Sequence, residues 1–348
     1  MNVSKNQQIE EIGEDAFNYI NTFVESHSSE TCLLSTTTRF NVLNQPDGSF
    51  KSFINFHRVN DIKHINKFFE AVNSKLDTNG LFIGCAETRL LRKKRIMNRF
   101  PVGINYCYLF LDYLLKRVFP KLSNPTRKIY FFLTKGRNRA ISRTEILGRL
   151  YSSGFEFVDE KYIGGLYYFI MKKVSEPLFP ENPSYGPVFK MKRVGKEGKI
   201  IYVYKLRTMY PYSEYLQKFV YERNDLAEGG KIGDDFRVTT AGKFFRKFWI
   251  DELPMIYNLL KGDLKVVGVR PLSLHFLSLY SQELKEIRLR HKPGLVPPFY
   301  ADLPKTLDEI MDSELRYLKA YEKNPLGTDL RYFFKSFYNI LIKKARSQ

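Results

Sequence analysis

GDDFRVTTAGKFFRKFWIDELPMIYNLLKGDLKVVGVRP, residues 233–271, is the most informative stretch of the 348-residue chain. Asp251 and Glu252 sit side by side between Trp249-Ile250 and Leu253-Pro254, an acidic pair inside an apolar wrapper. Burial raises a carboxyl's pKa unless a cation or metal stands close, and Arg246, Lys247 and Arg270 are the candidate cations. Adjacent carboxylates point in different directions, so one can attack or move a proton while the other ligates a divalent cation. Mg²⁺ takes one or two carboxylates plus substrate phosphates, and Arg or Lys hold the remaining phosphate oxygens. Arg270-Pro271, after the strand-like LKVVGV, places a guanidinium on a stiffened backbone where it can grip phosphate in bidentate fashion. An Asp-Glu pair standing alone reads as a helix N-cap with a first-turn acid. Here its spacing to the neighbouring motifs outweighs that reading.

Upstream, GPVFKMKRVGKEGKIIYVYKLRTM (residues 186–209) reads as two cationic strands joined by a turn at Glu197-Gly198. The prolines of VSEPLFPENPS, residues 174–184, mark a linker between a first domain (1–173) and a second (185–348). At the far end, DLRYFFKSFYNILIKKAR (residues 329–346) puts Leu330, Phe333, Phe334, Phe337, Ile340 and Leu341 on one helical side, with cations around it. That is the pattern of a helix lying in a membrane surface.

These motifs together resemble the bacterial sugar transferases, the monotopic polyprenyl-phosphate phosphoglycosyl transferases. The resemblance runs from Tyr185 to about Pro298 through GPVF (186–189), RVG (193–195), YKLRTM (204–209), D-x-R-[IV]-T (235–239), GKFFRK (242–247), DELP (251–254), NLLKGDL (258–264), VG-x-RP (267–271) and KPG (292–294). It implies an α+β catalytic domain that moves a sugar-1-phosphate from a UDP-sugar to undecaprenyl phosphate and releases UMP. The implied setting is the initiating membrane step of exopolysaccharide, capsule or O-antigen synthesis, with downstream glycosyltransferases as partners. Asp251 would be the nucleophile that carries the sugar-phosphate, and Glu252 would hold Mg²⁺. Lys205, Arg207, Asp235, Arg237, Arg246 and Arg270 would line the nucleotide or phosphate site. The alternative is a catalytically degenerate scaffold of a glycan assembly complex. Family members enter this domain through a long hydrophobic re-entrant helix directly before GPVF, and VSEPLFPENPSY cannot form one. Residues 105–121 and the basic C-terminal segment are the candidate substitutes for membrane attachment.

The first domain reads as α/β. FINFHRV (53–59) is strand-like, IKHINKFFEAVNSKL (62–76) has an apolar helical face, Asp77–Gly80 stops that helix, and LFIGCAE (81–87) reads as a buried strand. KIYFFLT (128–134) is strand-like, Ser142 caps a helix, and FEFVDEKYIGGLYYFIMKK (155–173) reads as a hairpin turning at Gly164-Gly165. This order resembles the second half of a class I methyltransferase-like sheet, over residues 50–173. The glycine-rich loop and the ribose-binding acid of such enzymes are missing, so the expectation is a truncated, non-catalytic docking or scaffolding domain.

Composition sets the outer limits. The chain has 56 Lys and Arg against 37 Asp and Glu, a formal charge of +19, with 15% aromatic residues. A polyanionic partner follows, and interleaved rings and cations suit an anionic membrane surface. No nucleic-acid motif is visible. Three cysteines without CxxC spacing, and no clustered histidines, exclude a disulfide framework or zinc site. The polar N-terminus reads as lacking a secretory signal, and no apolar run reaches the roughly 18 residues of a spanning helix. The expected location is therefore the cytoplasmic face of the bacterial inner membrane, peripheral or monotopic.

Overall fold

Phe82–Ala86 is buried residue after residue, the mark of a strand covered on both faces. In the computed structural model of the protein, which describes residues 10–25, 28–179, 185–223, 226–227, 231–232 and 235–342, this run lies in the middle strand of a five-stranded sheet. The chain divides into two units: residues up to Gly186 together with Tyr210–Phe219, and Pro187–Met209 together with the chain from Val220 onward.

In the first unit α1 (Glu14–Asn21), β1 (Thr31–Leu34), α2 (Arg39–Leu43), β2 (Phe50–Asn55), α3 (Ile65–Lys75) and β3 (Leu76–Ala86) follow in order. Next come α4 (Arg89–Arg99), α5 (Ile104–Tyr113), a π-helical turn (Leu114–Val118), α6 (Phe119–Leu122), α7 (Asn124–Thr134), α8 (Arg143–Ser152), β4 (Phe155–Ile163) and β5 (Leu166–Lys173). The strand order is β1-β2-β3-β5-β4, three parallel strands closed by an antiparallel pair. Gly164 and Gly165 both hold positive φ (56° and 78°), so the tight turn read from the sequence is built as expected. On one face the rings of Phe69, Phe82 and Phe169 meet edge to face, with centroids 5.6–6.5 Å apart. On the other, Ile54, Ile83, Cys85 and Ile170 pack against Ala16 and Ile20 of α1.

Three local expectations are corrected. KIYFFLT forms most of α7 rather than a strand: Ser123 and Thr126 make a reciprocal capping box and Pro125 sits in the first turn, so the helix start outweighs the β preference of the aromatic run. Asp77–Gly80 does not separate helix from strand but lies within β3. Its extra residues break the β2 register between the Phe50↔Leu76 and Ser52↔Leu81 pairs. The domain division falls at Gly186, and Tyr210–Phe219, assigned by sequence to the second domain, packs in the first unit. Phe219 lies 5.8 Å from the ring of Tyr151 and 5.3 Å from that of Phe157, and the Tyr212 backbone presses on α8 at Gly148. Of the expected linker, Val174 and Leu178 hydrogen-bond to Gly154 and Ser152, and residues 180–184 lie outside the described residues.

In the second unit, β6 (Val188–Val194) and β7 (Ile200–Leu206) form the expected cationic hairpin, with Glu197 and Gly198 at positive φ in its turn. The helix α9 (Gln217–Arg223) begins within the first unit's Tyr210–Phe219 segment; after it come β8 (Leu226–Ala227), β9 (Lys231–Ile232), α10 (Thr240–Lys247), a 3₁₀ turn (Ile250–Glu252), α11 (Met255–Lys261) and β10 (Lys265–Val267). The chain ends through α12 (Leu274–Ser278), α13 (Gln282–Arg290), β11 (Gly294–Val296), α14 (Phe299–Asp302), α15 (Leu307–Lys323) and α16 (Pro325–Leu341). Val267, Val269, Leu284, Tyr317 and Leu318 belong to one core cluster, with β10 and β11 paired in parallel. Helix α16 turns Thr328, Ser336 and Asn339 inward and leaves Leu330, Phe334, Phe337 and Leu341 exposed. No described helix is long and apolar enough to cross a membrane.

A Cβ at Gly148 would stand 2.3 Å from the Tyr212 carbonyl oxygen, a backbone atom that cannot swing away. Gly→Ala inside a helix ordinarily stabilises by about 1 kcal/mol. Overpacking costs about 1–3 kcal/mol and wins here. Gly148→Ala is expected to lose about 1–2 kcal/mol in urea unfolding and to speed proteolysis at 210–219.

Candidate active site

The site grows out of β7. As one strand of a two-stranded hairpin, β7 would leave backbone groups open along one side, and Asn258 of α11 closes it. Its Oδ1 accepts from the Tyr204 N–H (3.1 Å) and its Nδ2 donates to the Tyr202 carbonyl (2.7 Å) and to Asp263 Oδ2 (3.2 Å); the residue has no exposed surface. This fastening fixes Lys205 against the segment that precedes α11. Lys205 Nζ donates to Glu252 Oε1 at 2.5 Å.

Beyond β7, the Thr208 carbonyl accepts from the Thr239 N–H (2.9 Å), and Thr239 caps α10 through the Gly242 N–H (2.8 Å). A Cβ at Gly242 would lie 2.0 Å from the Thr208 carbonyl oxygen, so only glycine allows α10 this close. At the other end of α10, Arg246 Nε donates to Thr208 Oγ1 (3.0 Å). Trp249 then adopts left-handed φ (56°), a strained conformation for a large aromatic, and starts the 3₁₀ turn that carries Asp251 and Glu252. Its ring rests 5.0 Å from that of Tyr300.

Arg270 arrives from β10. Gly268 and Gly294 lie so close that a Cβ on Gly294 would be 2.1 Å from the Gly268 nitrogen, which explains the glycines of both VG-x-RP and KPG. Behind them the Arg270 carbonyl accepts from Arg288 Nη2 (2.6 Å), and Arg288 pairs with Glu314, both deeply buried. The backbone is thus held from the core side while the Arg270 side chain stays exposed.

Asp251, Glu252, Lys205, Asp235, Arg246 and Arg270 line one cleft of about 790 Å³. Arg207 and Arg237 do not line it. Arg207 lies over the Phe189 ring (5.4 Å), and Arg237 makes a two-pronged contact with Asp235 (2.7 and 2.9 Å) in which both are shielded from solvent. The sequence reading missed Arg193, Lys243 and Thr208 as wall residues; RVG and GKFFRK were the signals that contained the first two. With Lys247, the wall holds six cations against three carboxylates.

The electrostatics follow from that imbalance. Burial pushes the Asp251 carboxyl above its ordinary value, Lys205 pulls it back, and the neighbouring Glu252 adds to the rise. Burial works the same way on Asp235, yet the hydrogen bonds from Arg237 hold it below the usual range. Burial and the charge of Arg270 lower the Arg193 pKa, and no described residue gives Arg193 a carboxylate partner. Two guanidiniums facing one cleft without a shared acid make a receptor for an anion. Among the described residues no three His, Cys, Asp or Glu side chains group as metal ligands. A magnesium ion that draws most of its ligands from water and substrate phosphates needs only one or two carboxylates, and the Glu252–Asp251 pair meets that lower demand.

The resemblance read from the motifs is met: residues 178–343 match the family model described as "Bacterial sugar transferase". The chain is 36% identical over 141 residues to the galactosyl transferase CpsE of Streptococcus agalactiae, covering 39% of this chain and 31% of that one. It is 32% identical over 158 residues to an undecaprenyl-phosphate galactose phosphotransferase of Salmonella typhimurium (43% and 33%). It is 39% identical over 125 residues to the uncharacterized sugar transferase EpsL of Bacillus subtilis (35% and 50%). The chain thus spans about a third to a half of these relatives' lengths. A Thermotoga maritima structure titled as a SAM-dependent methyltransferase covers 45% of the chain and 86% of its own at 13% identity, with a TM-score of 0.27, too loose a likeness to bear on the fold.

Replacing Asn258 with Leu keeps the bulk but strands a buried N–H and a carbonyl of β7. A loss of about 2 kcal/mol in urea unfolding is expected, together with faster amide exchange at Tyr204.

Proposed function

We propose that the segment matching the bacterial sugar transferases is an active phosphoglycosyl transferase, taking a sugar-1-phosphate from a UDP-sugar to undecaprenyl phosphate with release of UMP. The observation that carries this reading is the shared cleft: Asp251 and Glu252 of one turn line the same wall as Lys205, Arg246 and Arg270 from other parts of the chain. Several relatives are named as undecaprenyl-phosphate sugar-phosphate transferases, among them a UDP-glucose:undecaprenyl-phosphate glucose-1-phosphate transferase of Klebsiella pneumoniae.

In this reading an Asp251 carboxylate oxygen bonds to the β-phosphorus, and the bond from that phosphorus to the bridging oxygen breaks, its electron pair leaving on UMP. The phosphate oxygen of the polyprenyl acceptor then attacks the same phosphorus and returns Asp251 as a free carboxylate. Arg246 and Arg270 neutralise the diphosphate while its charge shifts toward the leaving group. Lys205 orients Glu252 and opposes the rise in the Asp251 pKa. A bound Mg²⁺, held by Glu252 and the diphosphate oxygens, would supply further charge neutralisation. Arg237 acts by positioning Asp235.

Membrane attachment is proposed through apolar surface that the fold leaves outward. Phe110, Leu111, Leu115 and Phe132 are exposed on α5–α7, as are Leu330, Phe334, Phe337 and Leu341 on α16. Both segments carry cations nearby, which suits an anionic bilayer surface. The cations Lys343, Lys344 and Arg346, expected to flank α16, lie outside the described residues. The first unit is read as a non-catalytic docking or scaffolding element.

Asp251→Asn is expected to abolish UMP release, and the wild type to show a sugar-phosphate adduct on Asp251 by mass spectrometry after exposure to UDP-sugar without acceptor. If a broad UDP-sugar panel gives neither UMP nor adduct, the scaffold reading replaces the enzyme. The pH profile tests the electrostatics. The nucleophile must be ionised, and the folded pKa of Asp251 is raised, so the rate should rise with pH along an acid limb above the ordinary aspartate value. Lys205→Met removes the cation opposing that rise, so its acid limb should move to still higher pH.

A further inference from the structure

The first unit contains a second cleft, of about 910 Å³, which the transfer reaction does not use. Its floor is Glu145 of α8, deeply buried and surrounded by three cations. Arg117 donates to Glu145 Oε2, Arg149 Nη2 donates to Oε1 (2.8 Å), and Lys121 Nζ stands 3.3 Å away. Three positive charges on one carboxylate leave a surplus that burial makes costly. Burial and Arg117 hold the Lys121 pKa far down, while Arg117, Lys121 and Arg149 overcome burial and hold Glu145 well below its ordinary value. Two more guanidiniums line the same space. Arg139 donates to the Ile62 and Lys63 carbonyls, Arg127 donates to Asn124 Oδ1, and neither has a carboxylate within ion-pair distance among the described residues.

A second observation is independent of this charge count. Arg149 is 5% exposed, and its Nε is a buried donor without a hydrogen-bond partner, although its other nitrogens bond Glu145 and Asn66. Buried guanidinium N–H groups are rarely left unpaired. The N-terminal residues of α3, an eleven-residue helix, line the cleft as well, and no side chain caps them at His64. The Arg149 guanidinium lies against the Tyr212 ring (4.5 Å), and the surplus guanidinium charge with the uncapped first turn of α3 suits a tetrahedral oxyanion. The volume falls within the roughly 300–1,000 Å³ of sites that enclose organic ligands. The Phe131 ring lies in the wall beside Arg139 (5.3 Å) and offers apolar surface to whatever the phosphate carries.

We infer that this cleft binds a phosphate ester, its phosphoryl group seated among Arg149, Lys121, Arg139 and the first turn of α3. The ester is either water-soluble or the headgroup of a lipid. The first unit is then a ligand-binding module as well as a docking element.

The test uses the full chain in an Arg246→Ala, Arg270→Ala background, which strips phosphate affinity from the other cleft. Equilibrium binding is measured with radiolabelled pyrophosphate, and by co-flotation with phosphatidylcholine vesicles that contain or lack phosphatidic acid. Saturable pyrophosphate binding that weakens at least tenfold on adding Lys121→Gln and Arg127→Glu supports the site with a soluble ester. Flotation that requires phosphatidic acid and falls at least tenfold with the same two substitutions supports it with a lipid source. Both positions lie at partly or fully exposed cations, and unchanged thermal unfolding of the variant confirms that it folds. Absence of saturable binding to both probes, or binding that the two substitutions leave unmoved, overturns the inference. If wild-type UMP release fails while this binding holds, the transferase reading falls and the cleft assignment stands.

Discussion

Asn258 is the joint on which the arrangement of the cleft depends. Without it β7 is an open-sided strand, and the turn holding Asp251 and Glu252 has no fixed distance to Lys205. The joint is polar because its task is polar: a side-chain amide stands in for a neighbouring strand, supplying one donor and one acceptor in the spacing that a strand edge offers. The remaining parts are then fixed by close backbone approach. Gly242 lets α10 touch the Thr208 carbonyl and brings Arg246 to the cleft, and Gly268 with Gly294 brings Arg270. Three motif glycines serve to bring cations near two carboxylates.

That arrangement sets a conflict inside the cleft. Asp251 is buried enough to favour its neutral form, Glu252 beside it pushes the same way, and Lys205 pushes back. A carboxylate made less comfortable as an anion is a better match for bond formation to phosphorus than one locked in a salt bridge, as Asp235 is with Arg237. The strained φ at Trp249 fits this division, since it turns the Asp251-Glu252 step away from the regular helix on either side.

Much of this was legible in the sequence, for local reasons. Paired glycines at 164–165 and Glu197-Gly198 announce hairpins because few residues accept positive φ, and Ser142 announces a helix because its hydroxyl can cap one. The site was legible through ordered short motifs. What the sequence could not display depends on partners distant in the chain. The β-rich composition of KIYFFLT points to a strand until Ser123 and Pro125, several residues earlier, are given priority. The placement of Tyr210–Phe219 depends on Gly148 and on rings sixty residues away. Arg207 and Arg237 carried the right charge in the right motifs, yet they stand behind the wall, Arg207 over the Phe189 ring and Arg237 on the Asp235 carboxylate.

The same distinction separates structural charge from functional charge throughout the molecule. Arg92 is almost wholly buried, but Asp112 takes it in two contacts of 2.7 Å and Glu87 in a third of 3.2 Å, so its charge is closed off within the fold. Arg288 is closed off likewise by Glu314 and the Arg270 carbonyl. Such pairs hold helices in place and leave nothing for a ligand to neutralise. The two clefts differ in kind. In each, guanidiniums and ammoniums outnumber the carboxylates within reach, and a buried or half-buried arginine stands there without an acid or with a donor unspent. Desolvating unmatched cations opposes folding, so their presence on an enclosed surface is best explained by an anion that completes the count. A chain with a formal charge of +19 could have spread that surplus over solvent-exposed lysines at little cost. It gathers part of the surplus instead at two concave places, the two proposed to receive phosphate groups.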